Sequence, residues 1–189
     1  MGSIIVFLGK LDLVHGDIKP ENILITKRKE KFVFKMVDFG SITEAYSDVT
    51  RAGTPSYLAP ERFLQAPITE QTEVYAIGVT LYESLTKKYP FGEIEPFQNP
   101  NFDKIPKHPT KYNAKIPDWL ESIILRSVET DTNKRYDNYS EMLYEINHPS
   151  KVKPYFDKNL SFIQRNEMMV YKSGFIIMFV LNLYQLLKG

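Results

Sequence analysis

The sequence predicts a mainly α-helical domain with a small β-hairpin at its functional site. Two observations predict the helices: residues 73–86 are apolar on nearly every face of a helix, and residues 118–128 carry apolar side chains along one face. A third predicts the hairpin, because two short apolar runs, residues 23–25 and 32–37, flank the charged turn at residues 26–31. The outer ends of a hairpin meet, so the polar residues beyond those ends form one site.

Composition narrows the classes of function. The 189 residues are 43% hydrophobic and 25% charged, with a net charge of +1, three histidines and no cysteine. This length allows one core and a tail. The near-zero charge gives no support for a nucleic-acid partner. The absence of cysteine excludes disulfides and thiolate metal sites, and it fits a reducing cytoplasm.

The polar residues that the hairpin brings together suit phosphoryl transfer. Asp17, Lys19 and Asn22 precede its first strand, and Asp38 follows its second. A carboxylate can orient a hydroxyl group and a lysine can neutralise the moving phosphoryl group, while asparagine and aspartate supply oxygen ligands for Mg²⁺. Each residue taken singly could also be a turn or cap residue. Their joint placement favours the functional interpretation.

Three motifs occur in order: H-G-D-I-K-P-E-N at residues 15–22, D-F-G at residues 38–40, and A-P-E at residues 59–61. Together they resemble the protein kinase superfamily, whose catalytic loop is H-R-D-x-x-x-x-N. Lys19 stands two residues after Asp17, where Ser/Thr kinases carry lysine and tyrosine kinases usually differ. The chain therefore resembles a bacterial-type Ser/Thr protein kinase.

The resemblance implies a protein-kinase-like large (C-terminal) lobe over residues 1–148, with the small lobe absent. No Gly-rich phosphate loop and no strand bearing the V-A-I-K lysine occurs in the sequence. Residues 149–189 are then a basic linker and an apolar C-terminal segment. We expect ATP and Mg²⁺ as cofactors, a protein substrate, and little or no activity of this chain without a small lobe.

The resemblance also implies the roles of the site residues. Asp17 orients the substrate hydroxyl and accepts its proton, and Lys19 stabilises the transferring phosphoryl group. Asn22 and Asp38 bind magnesium that bridges the ATP phosphates. Leu24, two residues after Asn22, forms the floor beneath the adenine ring, an interpretation compatible with its also being a core residue.

The segment that ends in A-P-E, residues 53–61, is implied to dock the substrate, and we call it the docking segment. Thr54 is expected to form hydrogen bonds with Asp17 and Lys19 and so to position the substrate. Glu61 is expected to form a buried ion pair with Arg135.

The resemblance also implies structural roles for His15 and Phe39, and the sequence departs from the family pattern at Gly16 and Glu73. His15 is expected to pack beneath Phe39. Gly16 replaces the usual Arg, and Glu73 replaces the Asp that accepts backbone hydrogen bonds from the catalytic loop (residues 15–22). Because Gly16 has no side chain to pair with a phosphate, we predict that phosphorylation of the following loop is not the activating switch.

Earlier and later elements follow in order. Residues 4–8 form an apolar run that is too short for the core of a signal peptide. Residues 41–51 are polar and without periodicity, which predicts a mobile loop. Residues 93–117, which we call the excursion, are rich in Pro, Asn and Lys and predict irregular surface structure. Asp118 is predicted to cap the next helix, and residues 140–147 to form a last short helix.

Parts of the excursion, residues 93–97 and 111–113, resemble a bacterial group in which a kinase domain is joined to a phosphatase domain and ends in a membrane segment. Possible partners are therefore a separate kinase small lobe or a phosphatase domain.

The tail contains an apolar run at residues 174–187, and extension to residues 168–187 reaches the roughly 20 residues that a membrane span needs. Basic residues precede it, which predicts a cytoplasmic lobe anchored to the inner face of the cell membrane. Asn182 and Gln185 favour the alternative, an amphipathic helix docked on the lobe.

Two classes of function remain open. One is a protein serine/threonine kinase. The other is an inactive or split-gene kinase fragment that acts as a binding module. A third hypothesis, a membrane scaffold, rests only on the tail.

Overall fold

The computed structural model describes residues 2–47 and 52–155, together with Phe175 and Met178. One compact unit spans Met1–Tyr155. The predicted domain boundary at residue 148 stays a prediction, and the predicted membrane segment at 168–187 lies outside the described residues apart from Phe175 and Met178. Among the residues that the structure describes, no helix is long and apolar enough to cross a membrane.

The unit is built around its central helix. Within the described ranges the α-helices are α1 Gly2–Gly9, α2 Glu70–Thr86, α3 Asp118–Ser127 and α4 Tyr139–Asn147. Ten of the 17 residues of α2 are buried, as a helix that is apolar all round requires. It begins three residues before the predicted start, because the side chains of Thr69 and Thr72 each accept a hydrogen bond from the other's backbone N–H.

Helix α3 packs closely against α2. A Cβ atom added at Gly78 would lie 2.6 Å from the Cβ of Ser127, so only glycine permits this approach. Ile123 is fully buried at this contact. The predicted cap at Asp118 is wrong: Pro117 is the cap residue and Asp118 is the first helical residue. Its carboxylate is favourable there because the N-terminal end of a helix is partly positive.

The remaining helices complete the core. Asn138 caps α4, because its side-chain oxygen accepts the N–H of Glu141 at 2.9 Å. Helix α1 packs against α4 and buries Ile5 and Leu8. The N-terminal apolar run is therefore part of the folded core.

The predicted hairpin is present, but its predicted turn is wrong. Strands β2, Ile23–Arg28, and β3, Lys31–Met36, pair antiparallel along their whole length. Only Lys29 and Glu30 form the turn, with φ angles of 46° and 62°. Two left-handed residues give a turn whose twist matches that of the strands. Pairing therefore continues through the charged segment, beyond the point where the apolar pattern ends.

A second small sheet ties the loop after D-F-G to the catalytic loop. Strand β1, Leu13–Val14, pairs antiparallel with β4, Thr43–Glu44. The N–H of Tyr46 then donates to the carbonyl oxygen of Ile68 at 2.8 Å. The loop predicted from residue 41 is therefore wrong at residues 43–44, because a strand of two residues is too short to show a period in the sequence. The mobility of this segment stays a prediction. Residues 48–51 lie outside the described part of the chain.

The excursion at residues 93–117 is irregular, as predicted, with one short 3-10 turn at Pro109–Lys111. Several hydrogen bonds hold it against the rest of the lobe, among them the following two. The backbone N–H of Ile94 donates to the Ser56 hydroxyl at 2.9 Å, and the hydroxyl of Thr110 donates to the buried carboxylate of Glu121 at 2.6 Å.

Candidate active site

Asp17, Lys19 and Thr54 form a closed group of contacts. Asp17 Oδ1 accepts the backbone N–H of Thr54 at 3.1 Å and its hydroxyl at 2.8 Å. Lys19 Nζ lies 2.7 Å from Asp17 Oδ2 and also donates to Thr54 Oγ1 at 2.7 Å. The docking segment is thus joined directly to the catalytic loop, although 35 residues separate Lys19 from Thr54.

These contacts favour the ionised form of the Asp17 side chain. Partial burial by itself would raise the pKa of the Asp17 carboxyl, but the hydrogen bonds from Lys19 and Thr54 and the positive charge of Lys19 outweigh it, so the pKa lies below its ordinary value. A carboxylate of low pKa can align a hydroxyl group by accepting its hydrogen bond.

Asn22 lies at the end of the catalytic loop with its side-chain amide fixed. Its Nδ2 donates to the backbone oxygen of Asp17 at 2.8 Å and to Asp17 Oδ2 at 3.2 Å. Since the nitrogen is engaged in this way, Oδ1 is the atom left to bind a cation. The backbone oxygen of Asn22 accepts the N–H of Val37 at 3.0 Å, which brings the next residue, Asp38, to the same end of the hairpin.

Asp38 presents an exposed carboxylate from a left-handed backbone conformation, with φ 60° and ψ 68°. Its side chain has no hydrogen-bond partner among the described residues. One carboxamide oxygen and one carboxylate are hard oxygen ligands that fit Mg²⁺, with water and phosphate oxygens completing its coordination. The described residues contain no cluster of three or more acidic or histidine side chains that would hold a metal alone.

Glu73 of α2 supports the catalytic loop from below. Its buried carboxylate accepts the backbone N–H of His15 at 2.8 Å and that of Gly16 at 2.5 Å, and it also accepts the hydroxyl of Tyr139. Burial raises the pKa of Glu73, and these three hydrogen bonds oppose that rise. The resemblance predicts an aspartate at this position that accepts hydrogen bonds from the backbone of the catalytic loop. The longer side chain of Glu73 still accepts the N–H groups of both His15 and Gly16.

Tyr139 was not found by sequence reasoning. It is the first residue of α4, and no motif marks it.

His15 is fully buried and has a structural position. Its Nε2 lies 3.2 Å from the carbonyl oxygen of Val37, so Nε2 carries the proton. The ring lies 5.8 Å from the half-exposed ring of Phe39, at an angle of 60°. The hydroxyl of Ser41, a residue that the sequence did not single out, donates to the His15 carbonyl oxygen at 2.7 Å.

Gly16 is required by the backbone and by its neighbours. Its φ is +85°, and an added Cβ would lie 2.6 Å from the carbonyl oxygen of Ser41. An arginine would be strained here and would collide with the backbone that follows D-F-G. The glycine at this position therefore permits the close approach of Ser41 to the catalytic loop.

The docking segment is anchored at its far end by Glu61 and Arg135. The guanidinium group binds both carboxylate oxygens, at 2.7 and 3.1 Å. It also donates to the backbone oxygens of Glu129 and Gln71. The side chain of Arg135 is completely buried, whereas that of Glu61 is 19% exposed. The predicted pair is thus present, with only its cation wholly buried.

The hairpin beside the site carries uncovered apolar side chains. Leu24, the residue expected beneath the adenine ring, is 50% exposed on one face of β2. Ile25 points to the opposite face and pairs with Phe34 of β3, and these side chains are 62% and 46% exposed. Both faces of the hairpin therefore offer apolar surface.

Comparisons with known proteins agree with this geometry. Residues 4–147 match the protein kinase domain family. A probable serine/threonine-protein kinase of Clostridium acetobutylicum is 33% identical over 148 residues, covering 74% of this chain and 22% of that protein. The serine/threonine-protein kinase PknB of Mycolicibacterium smegmatis is 30% identical over 145 residues, covering 71% of this chain and 22% of that protein.

Among solved structures, the kinase of the Cydia pomonella granulovirus superposes with a TM-score of 0.65 at 22% identity. It covers 82% of this chain and 55% of that protein. The likeness shows the fold. The chain spans about a fifth of the length of the two curated bacterial relatives, at 22% of each.

Proposed function

The chain belongs to the protein kinase domain family, and we propose that it is the large lobe of a serine/threonine protein kinase, which transfers a phosphoryl group from ATP to hydroxyl groups of proteins. The resemblance of its motifs to bacterial Ser/Thr kinases is confirmed by the matched family and relatives. The observation that carries the proposed activity is the closed contact of Asp17, Lys19 and Thr54.

In the proposed reaction, Asp17 accepts a hydrogen bond from the substrate hydroxyl, aligns its oxygen and takes its proton. Lys19 lies beside that carboxylate and stabilises the charge on the transferring phosphoryl group. Thr54 holds both side chains in place and ties them to the docking segment. Asn22 Oδ1 and Asp38 would hold Mg²⁺, which neutralises phosphate charge when bound.

The uncovered hairpin supports a second proposal, that this lobe works with a partner. The exposed side chain of Leu24 belongs to the expected nucleotide site, and the exposed side chains of Ile25 and Phe34 lie on the opposite face of the same hairpin. A separate kinase small lobe would bury that surface and supply the phosphate-positioning groups that this sequence lacks. Without such positioning we expect transfer by this chain alone to be slower by several orders of magnitude.

The same exposed surface favours an alternative function, an inactive kinase fragment that acts as a binding module. Nucleotide binding distinguishes the two functions. In a binding module, Asp38→Ala would leave binding of the partner unchanged. In a kinase supplied with its small lobe, the same variant would abolish Mg²⁺-dependent ATP binding.

We also propose that residues 168–187 associate with a membrane, supported by their apolar composition and the lysines that precede them. Co-sedimentation of the full chain with phosphatidylglycerol vesicles, lost when the residues after Met168 are removed, is the expected result. Unchanged binding to vesicles after that deletion would exclude this role.

The experiment that tests the activity measures phosphoryl transfer from radiolabelled ATP to a mixed protein substrate, with a kinase small lobe supplied. Asp17→Asn should lower the rate by about 10²–10⁴-fold, the usual contribution of a general base. Asp12→Asn, at an exposed position just before β1, is the matched control and should keep the rate. Equal rates in the two variants would exclude Asp17 as the base.

A further inference from the structure

A basic groove lies at the C-terminal end of α2, lined by residues other than those of the candidate active site. Its volume is about 550 Å³. The charged side chains that line it are one glutamate, Glu93, and four exposed lysines: Lys87, Lys88, Lys104 and Lys107. None of these lysines forms an ion pair with a carboxylate of the described residues.

The charge of this groove stands out against the rest of the chain. Its lining has a formal charge of +3, four lysines less one glutamate, whereas the whole chain has a net charge of +1. A concave surface of one sign focuses the field and concentrates ligands of the opposite sign. The groove therefore selects for an anionic ligand.

The walls of the groove are fixed by hydrogen bonds to α2. The buried side chain of Tyr82 donates its hydroxyl to the backbone oxygen of Lys107 at 2.8 Å. At the other wall, the hydroxyl of Thr86 accepts the N–H of Lys88 at 3.2 Å. Because these hydrogen bonds already order the main chain of the groove, binding of a ligand would cost little conformational entropy.

The aromatic part of the lining extends towards the substrate side of the lobe. The ring of Tyr89 packs edge-on against Tyr57 at 5.8 Å, and Phe91 and Tyr112 also line the groove. Tyr57 belongs to the docking segment, three residues after Thr54, which touches Asp17. The groove therefore adjoins the docking segment, the part of the lobe that the resemblance assigns to substrate docking.

We propose that the basic groove binds an acidic segment of the protein substrate, with carboxylates against the lysines and an aromatic side chain against Tyr89 and Tyr112. The inference rests on the proposed function, because it assigns a substrate class to that kinase. A cationic rim together with aromatic contacts combines charge steering with apolar burial, and a polar rim around an apolar centre is usual in specific protein interfaces.

The test measures direct binding by this chain, without ATP or a small lobe. The probe is a short fluorescein-labelled peptide of aspartate and glutamate with one central phenylalanine, followed by anisotropy. We expect the double variant Lys87→Glu/Lys104→Glu to weaken binding by about tenfold or more. The charge-matched control, Lys29→Glu/Lys31→Glu at the tip of the hairpin, should stay within about twofold of the unchanged chain.

Three results would overturn the proposal: no binding of the acidic peptide, equal weakening in both double variants, or equal binding of a peptide in which lysine replaces the acids. Binding of phosphatidylglycerol vesicles through Lys87 and Lys104, without binding of the peptide, would also overturn it in favour of a lipid surface. Thermal melting of each variant checks that the fold is intact.

A second measurement separates this inference from the proposed function. With a small lobe supplied, a serine-containing substrate with the acidic segment attached should show a KM raised about tenfold by Lys87→Glu/Lys104→Glu, with kcat unchanged. Peptide binding without any phosphoryl transfer would support the proposed role of the groove and contradict the proposed kinase activity. Phosphoryl transfer whose KM is unchanged in the double variant would support the proposed kinase activity and contradict the proposed role of the groove.

Discussion

The catalytic loop and the hairpin that follows it are adjacent in the chain but differ in their support. The loop is held by Glu73 from α2 and by Thr54 from the docking segment, and His15 and Asn22 are buried. The hairpin is a two-stranded sheet whose Leu24, Ile25 and Phe34 side chains remain about half exposed. Two-stranded hairpins are marginally stable without a packing partner.

This difference indicates how the site is divided. The residues proposed to transfer the phosphoryl group are positioned by the core of this lobe. The surface proposed to receive the adenine ring is uncovered and depends on another element. We therefore expect substitutions around the loop to cost stability in the chain alone, and substitutions on the hairpin to matter only with a partner.

The largest expected effect is on the ion pair beneath the docking segment. Glu61→Ala should lower the free energy of unfolding by about 3 kcal/mol, because Arg135 is left buried without its carboxylate. The backbone oxygens that Arg135 also contacts keep the loss at this end of the usual range. Urea denaturation measures it.

The matched control is on the hairpin. Glu30 pairs with Lys27 at 2.6 Å, but both side chains are exposed. Glu30→Ala should cost no more than about 1 kcal/mol. Equal losses in the two variants would show that the hairpin is supported as firmly as the docking segment.

The next effect concerns Glu73. In Glu73→Gln one carboxylate oxygen becomes an NH₂ group that faces a donor, so one of the three hydrogen bonds is lost, at a cost of about 1–3 kcal/mol. Glu83→Gln, further along α2, is the control and should leave the melting temperature nearly unchanged. If Glu73→Gln and Glu83→Gln had the same melting temperature, the buried carboxylate of Glu73 would not be what stabilises the catalytic loop.

Gly16 separates a steric effect from a conformational one. Gly16→Ala and Gly92→Ala both place a side chain at positive φ, which costs about 1–2 kcal/mol. Only at Gly16 would the new Cβ also meet a neighbour, the Ser41 oxygen, at 2.6 Å, whereas nothing lies within 4 Å at Gly92. Gly16→Ala should therefore lower the melting temperature more than Gly92→Ala does. Equal decreases in the two variants would mean that the backbone at Ser41 shifts to make room for the new Cβ.

The smallest effect in the chain alone is expected on the hairpin. Ile25→Thr together with Phe34→Thr keeps strand propensity but removes exposed apolar surface. The cost should stay within about 0.5 kcal/mol. Binding of a supplied small lobe, measured by calorimetry, should weaken by about tenfold if this face of the hairpin meets the partner. Unchanged affinity would place the partner elsewhere.

These elements also show what the sequence could predict. The central helix was predictable because its apolar residues cover every face, and the ends of the hairpin because apolar runs and polar motifs alternate clearly. The placement of Asp17, Asn22 and Asp38 at the ends of the hairpin could be predicted from the sequence, whereas their roles come from the resemblance and stay predictions. The identity of the pair Glu61–Arg135, 74 residues apart, was accessible only through the resemblance.

Other features depend on tertiary contacts that leave no pattern. The pairing of β1 with β4 involves two residues on each side. The turn at Lys29 and Glu30 uses residue types that are not typical of left-handed positions. Tyr139 reaches Glu73 only because α4 packs beside α2. In the first and third cases the deciding partner is distant in the sequence, whereas in the turn it is the residue type that gives no signal.

Amide hydrogen exchange of the chain alone tests the central claim most directly. The N–H groups of His15 and Gly16, which Glu73 binds, should exchange slowly and at rates close to those of α2, whereas the hairpin amides should exchange faster through local opening. Addition of a small lobe should slow exchange in β2 and β3 and leave His15 and Gly16 unchanged. Fast exchange at His15 and Gly16 in the chain alone, with a hairpin as protected as α2, would contradict the account.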